Sequence, residues 1–315
     1  MTDDRQRVES ALLESVKTPD AYLTEIASHL ITAGGKRLRP VMAIAAAQVG
    51  AAARVTDQVV QGGISCELVH LGSLYHDDVM DESTLRRGVE TVNARWGNLQ
   101  AILAGDFLLA RASEIAASLG TEVAGLLART IGRLCEGQIE ELQHTYDVNR
   151  TVESYLASID GKTASLFSAA ARIGGIVAGH DRDLIEALTS YGTSYGIVFQ
   201  ILDDILDIVS TDDELGKPAG HDMEEGVYTL PVLLTMQAGG VAADKLRASL
   251  GEPLTAATRI ELLEVVRNSD GVERAIKFAK EHVAIAEATC ALMPASSATT
   301  ALRDAAGALL DSIAR

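Results

Sequence analysis

Two long apolar stretches limit what this chain can fold into. "VVQGGISCELVHLGSLYHDDVMD" runs from Val59 to Asp81, and "LIEALTSYGTSYGIVFQILDDILDIV" from Leu184 to Val209. Neither contains a proline, and both far exceed the usual strand limit of about ten residues. Alanine is abundant, aromatic residues make up only 4 %, and no run of alternating β-branched residues suggests a sheet. The six prolines fall where helices should start or stop. Pro40 follows a Gly-Gly turn, Pro218 sits in a glycine-rich loop, Pro231 opens "LPVLLTMQA" and Pro294 breaks the tail. The expectation is all-α: one domain over residues 1–315, a bundle of ten or more helices.

Both stretches end on one pattern, "DDVMD" at Asp77–Asp81 and "DDILD" at Asp203–Asp207. Residues i and i+4 of an α-helix differ by about 40° in direction, so Asp77 and Asp81 share a face, as do Asp203 and Asp207. Like charges at that spacing destabilise a helix by a few tenths of a kcal/mol, and burial costs far more. A single acidic cluster of this kind reads best as a solvated helix face. Two copies, each closing an apolar helix, point instead to a divalent cation. Carboxylates with few other ligands suit Mg²⁺, which keeps its waters and shares itself with phosphates.

Cations recur at separate stations. "AGGKRLRP" places Lys36, Arg37 and Arg39 in a short loop before a helix, where glycines allow close backbone approach. "TLRRG" supplies Arg86 and Arg87, whose planar forks can grip phosphate at two points. "DGKTASLF" and "LGKPAGHD" supply Lys162, Thr163 and Lys217, without the glycine spacing of a P-loop. Each alone reads as charged surface. Together with two acidic clusters in an apolar bundle, they describe a site for a diphosphate head on a greasy tail.

The formal net charge of −17 argues against nucleic acid as a partner. Cys66, Cys135 and Cys290 lack metal-ligand spacing, and all three read as buried thiols. Charges interrupt every apolar run before membrane-spanning length, and "MTDDRQRVES" is no signal peptide, so a soluble cytoplasmic protein is expected.

The motifs "GGKRLRP", "LYHDDVMDES…RRG", "GKTASL" and "FQILDDILD…GKPAGHD" stand in the order and spacing of the trans-isoprenyl diphosphate synthases. The chain resembles their polyprenyl, medium- and long-chain branch along almost its whole length. That resemblance implies a deep central cavity, a homodimer, and Mg²⁺-dependent condensation of isopentenyl diphosphate with an allylic diphosphate. It implies two or three Mg²⁺ per active site, with Asp77 and Asp81 on one and Asp203 with Asp222 on a further one, supported by Asp78 and Asp207. Arg86, Lys162 and Lys217 would contact the allylic diphosphate. Lys36, Arg39, His70 and Arg87 would hold isopentenyl diphosphate, and Lys162, Thr163 and Gln200 would act at the reacting carbons. One departure is Val227, in "EEGVYTLP", where the family often has a lysine. Gly72, five positions before Asp77, stands where an aromatic residue would stop the chain early, so a long product is expected. The alternatives are a shorter synthase making fifteen to twenty carbons, or a poorly active partner subunit of a heteromeric enzyme. A terpene cyclase would not need the second aspartate cluster or "GGKRLRP".

Overall fold

The computed structural model describes residues 2–50, 55–211 and 218–311. It is helical almost throughout, in the order α1 (Thr2–Ser15), α2 (Ala21–Thr32), α3 (Leu38–Ala47), α4 (Asp57–Met80), α5 (Val92–Trp96), α6 (Asn98–Ser118), α7 (Thr121–Gln143) and α8 (Val152–Ile159). A π-helical turn (Asp160–Ala164) then leads into α9 (Ser165–Val177) and α10 (Arg182–Val209). The remainder is α11 (His221–Glu224), α12 (Leu230–Ala238), α13 (Gly240–Ser249), α14 (Ala256–Arg267), α15 (Gly271–Cys290) and α16 (Ser297–Asp311). Short polar side chains set many of the starts. Asp20 accepts from the amides of Tyr22 and Leu23, Thr56 from Val59, Thr151 from Ser154 and Thr255 from Thr258. Among the described residues, no helix is long and apolar enough to cross a membrane.

The chain divides into two compact units. The first takes residues up to Ile131, Leu166–Gly192 and Leu292–Thr300; the second takes Gly132–Ser165, Thr193–Ala291 and the chain from Ala301.

In the first unit α4 is buried on nearly all sides, as expected of a helix without a polar face. Its glycines are where neighbours come close. A Cβ on Gly63 would lie 2.7 Å from the Cα of Pro40 in α3, and one on Gly72 would lie 3.0 Å from the carbonyl oxygen of Gly105 in α6. In the second unit α12 is the buried helix, with every residue from Leu230 to Met236 out of solvent. Tyr155 and Tyr228 are also buried in this unit.

Two details depart from the sequence reading. A two-residue antiparallel ladder, β1 (Leu85–Arg86) with β2 (Val89–Glu90), follows α4. Its turn residues Arg87 and Gly88 have φ of 54° and 76°, the positive pair that short hairpins favour. Too short to show an alternation, this hairpin carries no hydrophobic signal in the sequence. The second concerns the cysteines: Cys66 and Cys290 are buried, but Cys135 is exposed on α7.

Candidate active site

In the first unit the basic loop is shaped by its backbone. Gly34 and Gly35 have φ of 93° and 153°, and Arg37 sits left-handed at 53°. Arg37 is held there by its side chain. Nε and Nη2 donate to the two carboxylate oxygens of Glu9 at 2.9 and 3.1 Å, Nη2 to the Ile31 carbonyl at 2.8 Å, and Nη1 to Glu67 at 3.3 Å. Arg39 is buried with its guanidinium 4.7 Å from the Phe167 ring centre, while Lys36 is exposed. Arg87, on the hairpin turn, donates Nη1 to the carbonyls of Leu30, at 3.0 Å, and Gly34. The result is a cluster of guanidinium groups in an acidic protein. Its field registers on His70 of α4: burial, then Arg39, Arg87, Arg86 and Arg37, push that imidazole well below its ordinary 6.5. A bound anion would relieve that repulsion.

The first aspartate cluster closes α4. Asp81 is the residue at the helix end, its amide donating to the Asp77 carbonyl at 2.8 Å. Asp77 is half-buried and Asp81 exposed, whereas Asp78, about 100° round the helix, is fully buried. Asp78 Oδ1 accepts from Arg86 Nε at 2.5 Å, and its Oδ2 is buried with no hydrogen-bond partner. Burial drives this carboxyl upward, opposed by Arg86 and Arg87. Asn93 donates to the Asp78 and Ser83 carbonyls, both at 3.0 Å, tying the hairpin to the helix end.

The second unit builds its part around a close helix contact. A Cβ on Gly137 of α7 would fall 2.7 Å from the Ser158 carbonyl oxygen and also against the Lys162 amide. One on Gly161 would fall 2.7 Å from the Arg133 carbonyl oxygen. Only glycine fits either place, and the chain passes there as the π-turn containing Lys162 and Thr163, an irregularity common at functional sites. Lys162 Nζ donates to Glu141 at 2.6 Å. Thr163 Oγ1 donates to Gln200 Oε1 at 2.7 Å, Gln200 Nε2 to Asp204 Oδ1 at 2.8 Å, and Tyr155 Oη to Asp204 Oδ2 at 2.5 Å. These three bonds join the π-turn, α10 and α8 into one connected network. Asp203 is exposed, Asp207 buried and Asp222 half-buried. Asp204 is buried and raised well above the usual carboxylate range, by burial first and then by Asp222.

Of the residues singled out from the sequence, the first unit gathers Arg39, His70, Arg86 and Arg87 around the Gly-Gly loop and the end of α4. The second joins Thr163 to Gln200 directly. Lys217 lies outside the described residues. Val227 is half-buried after α11 and donates its amide to the Asp222 carbonyl at 2.8 Å. Gly72 does not open onto empty space: a side chain there would press on Gly105 and on Leu109, 3.3 Å away. The sequence reading passed over Glu9, Glu67, Glu141, Tyr155 and Asp204. Glu9 and Glu67 hold Arg37, Glu141 holds Lys162, Asp204 holds Gln200 and Tyr155 holds Asp204, and no spacing rule marks such partnerships.

Both clusters fit a divalent cation. Each closes a long helix, where carbonyl dipoles already place negative potential. Asp78 adds a buried oxygen with no donor of its own. Among the described residues, no three His, Cys, Asp or Glu side chains form a metal cage by themselves. Such a thin donor set suits an ion that completes its shell with water and phosphate oxygens.

Helices carrying paired aspartates and a diphosphate-type basic loop define an isoprenoid synthase-type prenyltransferase, and the comparisons agree. Residues 20–264 match the polyprenyl synthetase family. The nonaprenyl diphosphate synthase of Mycobacterium tuberculosis (strain ATCC 25618 / H37Rv) is 40 % identical over 91 % of this chain and 86 % of its own. The heptaprenyl diphosphate synthase component 2 of Geobacillus stearothermophilus is 36 % identical, over 97 % and 95 %. A crystal structure of polyprenyl synthase from Caulobacter crescentus CB15, complexed with calcium and isoprenyl diphosphate, superposes with a TM-score of 0.91. It is 35 % identical and covers 98 % of this chain and 94 % of that one. The chain belongs to the polyprenyl synthetase family.

Proposed function

We propose that this protein condenses isopentenyl diphosphate with an allylic diphosphate to make a long-chain trans-polyprenyl diphosphate, and that its two units work as one synthase domain. The family match, which runs through both units, supports the latter. The observation that carries the reading is the crowd of guanidiniums around His70 in a chain of net charge −17. Arg37 and Arg86 already have carboxylate partners, whereas Arg87 donates only to carbonyls and Arg39 keeps a buried Nε with no acceptor, so an anion would complete these two.

In this reading Lys36, Arg39, His70 and Arg87 hold isopentenyl diphosphate. Arg86, Lys162 and Lys217 hold the allylic diphosphate. Asp77 and Asp81, supported by Asp78, and Asp203 and Asp222, supported by Asp207, hold two or three Mg²⁺. When bound, the metal neutralises charge that develops on the departing diphosphate. The chain's own cations share that task, since fixed charges need no reorganisation as the bond breaks. Lys162 is released from Glu141 to reach phosphate, Thr163 and Gln200 flank the reacting carbons, and buried apolar helices exclude water from them. The product length is inferred from relatives named for long products, such as the nonaprenyl synthase, rather than from Gly72.

The protein is further proposed to act in the cytoplasm as a homodimer. Leu99, Ile102 and Leu103 on α6, of which Leu99 is 74 % and Leu103 65 % exposed, give an apolar face suited to a second copy. Purified protein incubated with farnesyl diphosphate, labelled isopentenyl diphosphate and Mg²⁺ tests the function. Products longer than geranylgeranyl diphosphate support it, and products that stop there overturn the chain-length assignment. One relative is named as a component, so the same assay on the chain expressed alone excludes or establishes the need for a different partner chain.

A further inference from the structure

Helix α14 carries no residue of the proposed site, yet one stripe of it holds the backbone on both sides of the second aspartate cluster. Arg259, Leu263 and Arg267 stand at four-residue steps, each turned about 40° from the last, so the two arginines lie about 12 Å apart along the helix axis. Arg267 donates Nε to the Ile208 carbonyl at 2.7 Å and Nη2 to the Ser210 carbonyl at 2.9 Å, while Glu264 accepts from its Nη1 at 2.8 Å. Ile208 and Ser210 lie at the end of α10, the helix of Asp203 and Asp207, where the last carbonyls need donors from elsewhere. Arg259, 7 % exposed, donates Nη1 to the Ala219 carbonyl, and its Nε lies 3.0 Å from Glu224 Oε2. Ala219 and Glu224 bracket Asp222. Between the two grips, Leu263 packs against Gly220: a Cβ on that left-handed glycine (φ 73°) would stand 3.1 Å from Leu263 Cδ1. The Gly220 amide donates to the Asp207 carbonyl at 2.8 Å, so the turn before Asp222 rests on the end of α10.

α11, which carries Asp222, is four residues long. A helix that short has no stability of its own, so the place of Asp222 depends on what grips the turn. On its far side the Val227 amide donates to the Asp222 carbonyl at 2.8 Å and Tyr146 Oη to the Glu224 carbonyl at 3.4 Å. Arg259 grips the near side. We infer that Arg259 and Arg267 are positioning residues, and α14 a strut, that hold Asp222 of α11 in register with Asp203 of α10 so that both reach one ion. The inference rests on the proposed prenyl transfer, in which these two aspartates hold Mg²⁺ with the allylic diphosphate. Mg²⁺ accepts little departure from octahedral geometry, so carboxylates on two separate segments bind it well only when set in place beforehand. Arginine suits that task better than lysine. Its planar fork meets two acceptors at fixed angles, as Arg267 does with Ile208 and Ser210, and Arg259 with Ala219 and Glu224. Both forks belong to one helix, so the two grips move together.

The test is Arg259→Met and Arg267→Met, which keep the apolar stem and remove the donors. Wild-type turnover with farnesyl diphosphate, labelled isopentenyl diphosphate and Mg²⁺ is measured first. Its absence overturns the prenyl-transfer reading and not the strut, which hydrogen exchange judges by itself. With an active wild type, Arg259→Met should raise the half-saturating Mg²⁺ concentration about 10–100-fold, the scale for losing a group that orients a metal ligand. Arg267→Met should shift it in the same direction. KM for isopentenyl diphosphate should stay unchanged, because the residues assigned to hold it belong to the first unit. Arg259→Lys, which keeps the charge and one donor, should fall between Arg259→Met and wild type. A lowered thermal midpoint with Mg²⁺ half-saturation within about twofold of wild type overturns the inference, as does an equal rise in KM for isopentenyl diphosphate. In metal-free protein, the amides of Gly220 and Val227 should exchange about tenfold faster in Arg259→Met, with those of the buried α12 unchanged. No acceleration, or the same acceleration in α12, also overturns it. Should Arg259→Met fail to fold, Arg259→Lys and Arg267→Met decide the question by the same measurements.

Discussion

The two aspartate clusters are nearly identical in sequence and differ in how their middle residue is accommodated. Asp78 of the first unit and Asp204 of the second both turn inward from the ends of long helices and both are buried. Asp78 is answered by a cation, Arg86, and keeps one oxygen with no donor. Asp204 is answered by neutral groups, Tyr155 and Gln200, and burial beside Asp222 holds it well above the usual carboxylate range. One repeated motif thus yields one inward carboxyl paired with a guanidinium and one held among neutral polar groups. The motif specifies where two carboxylates per cluster point. The partner chosen for the third sets the local charge.

The largest expected effect is at the outward carboxylates. Asp77→Ala and Asp203→Ala should each lower kcat about 10²–10³-fold, the scale for losing one electrostatic contact in the transition state. Magnesium titrations of the two variants sharpen the contrast. The half-saturating concentration should rise further for Asp203→Ala, because the inward carboxyl beside it is bonded to Tyr155 and Gln200, whereas that of the first cluster is bonded to Arg86. Equal shifts would erase the distinction between the two ends.

Next in size are the glycine contacts. Gly137→Ala in the second unit forces a Cβ into backbone and should destabilise the protein by about 1–3 kcal/mol, with lowered kcat as the Lys162 turn is displaced. Gly72→Ala in the first unit meets its neighbours only at 3.0–3.4 Å and should cost less than Gly137→Ala. Chemical denaturation of both variants ranks them; a reversed order would mean that α4 and α6 are the less tolerant pair.

The smallest effect belongs to His70. Its pKa is lowered in the folded protein, so the unfolded chain takes up the proton first. Stability from the neutral ring is therefore full above about 6.5, the unfolded value, and is lost as pH falls toward the folded one. Removing the group in His70→Gln should flatten the fall in thermal midpoint below pH 6.5 by a small margin. An unchanged acid limb would show that the ring is less buried, and less crowded by the arginines, than the structure has it.

The helical class, the start of many helices and the aspartate pairs were legible because each is local. Periodicity of 3.6 places Asp77 with Asp81 whatever the chain packs against, and a threonine or aspartate before a helix caps it through its own neighbours. Arg87 was recognised as a cation, but its left-handed hairpin position and its grip on the Leu30 and Gly34 carbonyls depend on residues more than fifty positions away. Gly72 was expected to leave room and instead brings two helices together, because whether a missing side chain makes a void or a contact depends on what stands opposite. Asp204 and Glu67 escaped notice for the same reason: burial and hydrogen-bond direction are properties of partners brought together by folding. The sequence by itself determined which groups could carry charge and on which helix face they stand. Only the tertiary structure decided which charges are answered, since electrostatic energy depends on distance and desolvation, and neither exists until the chain has packed.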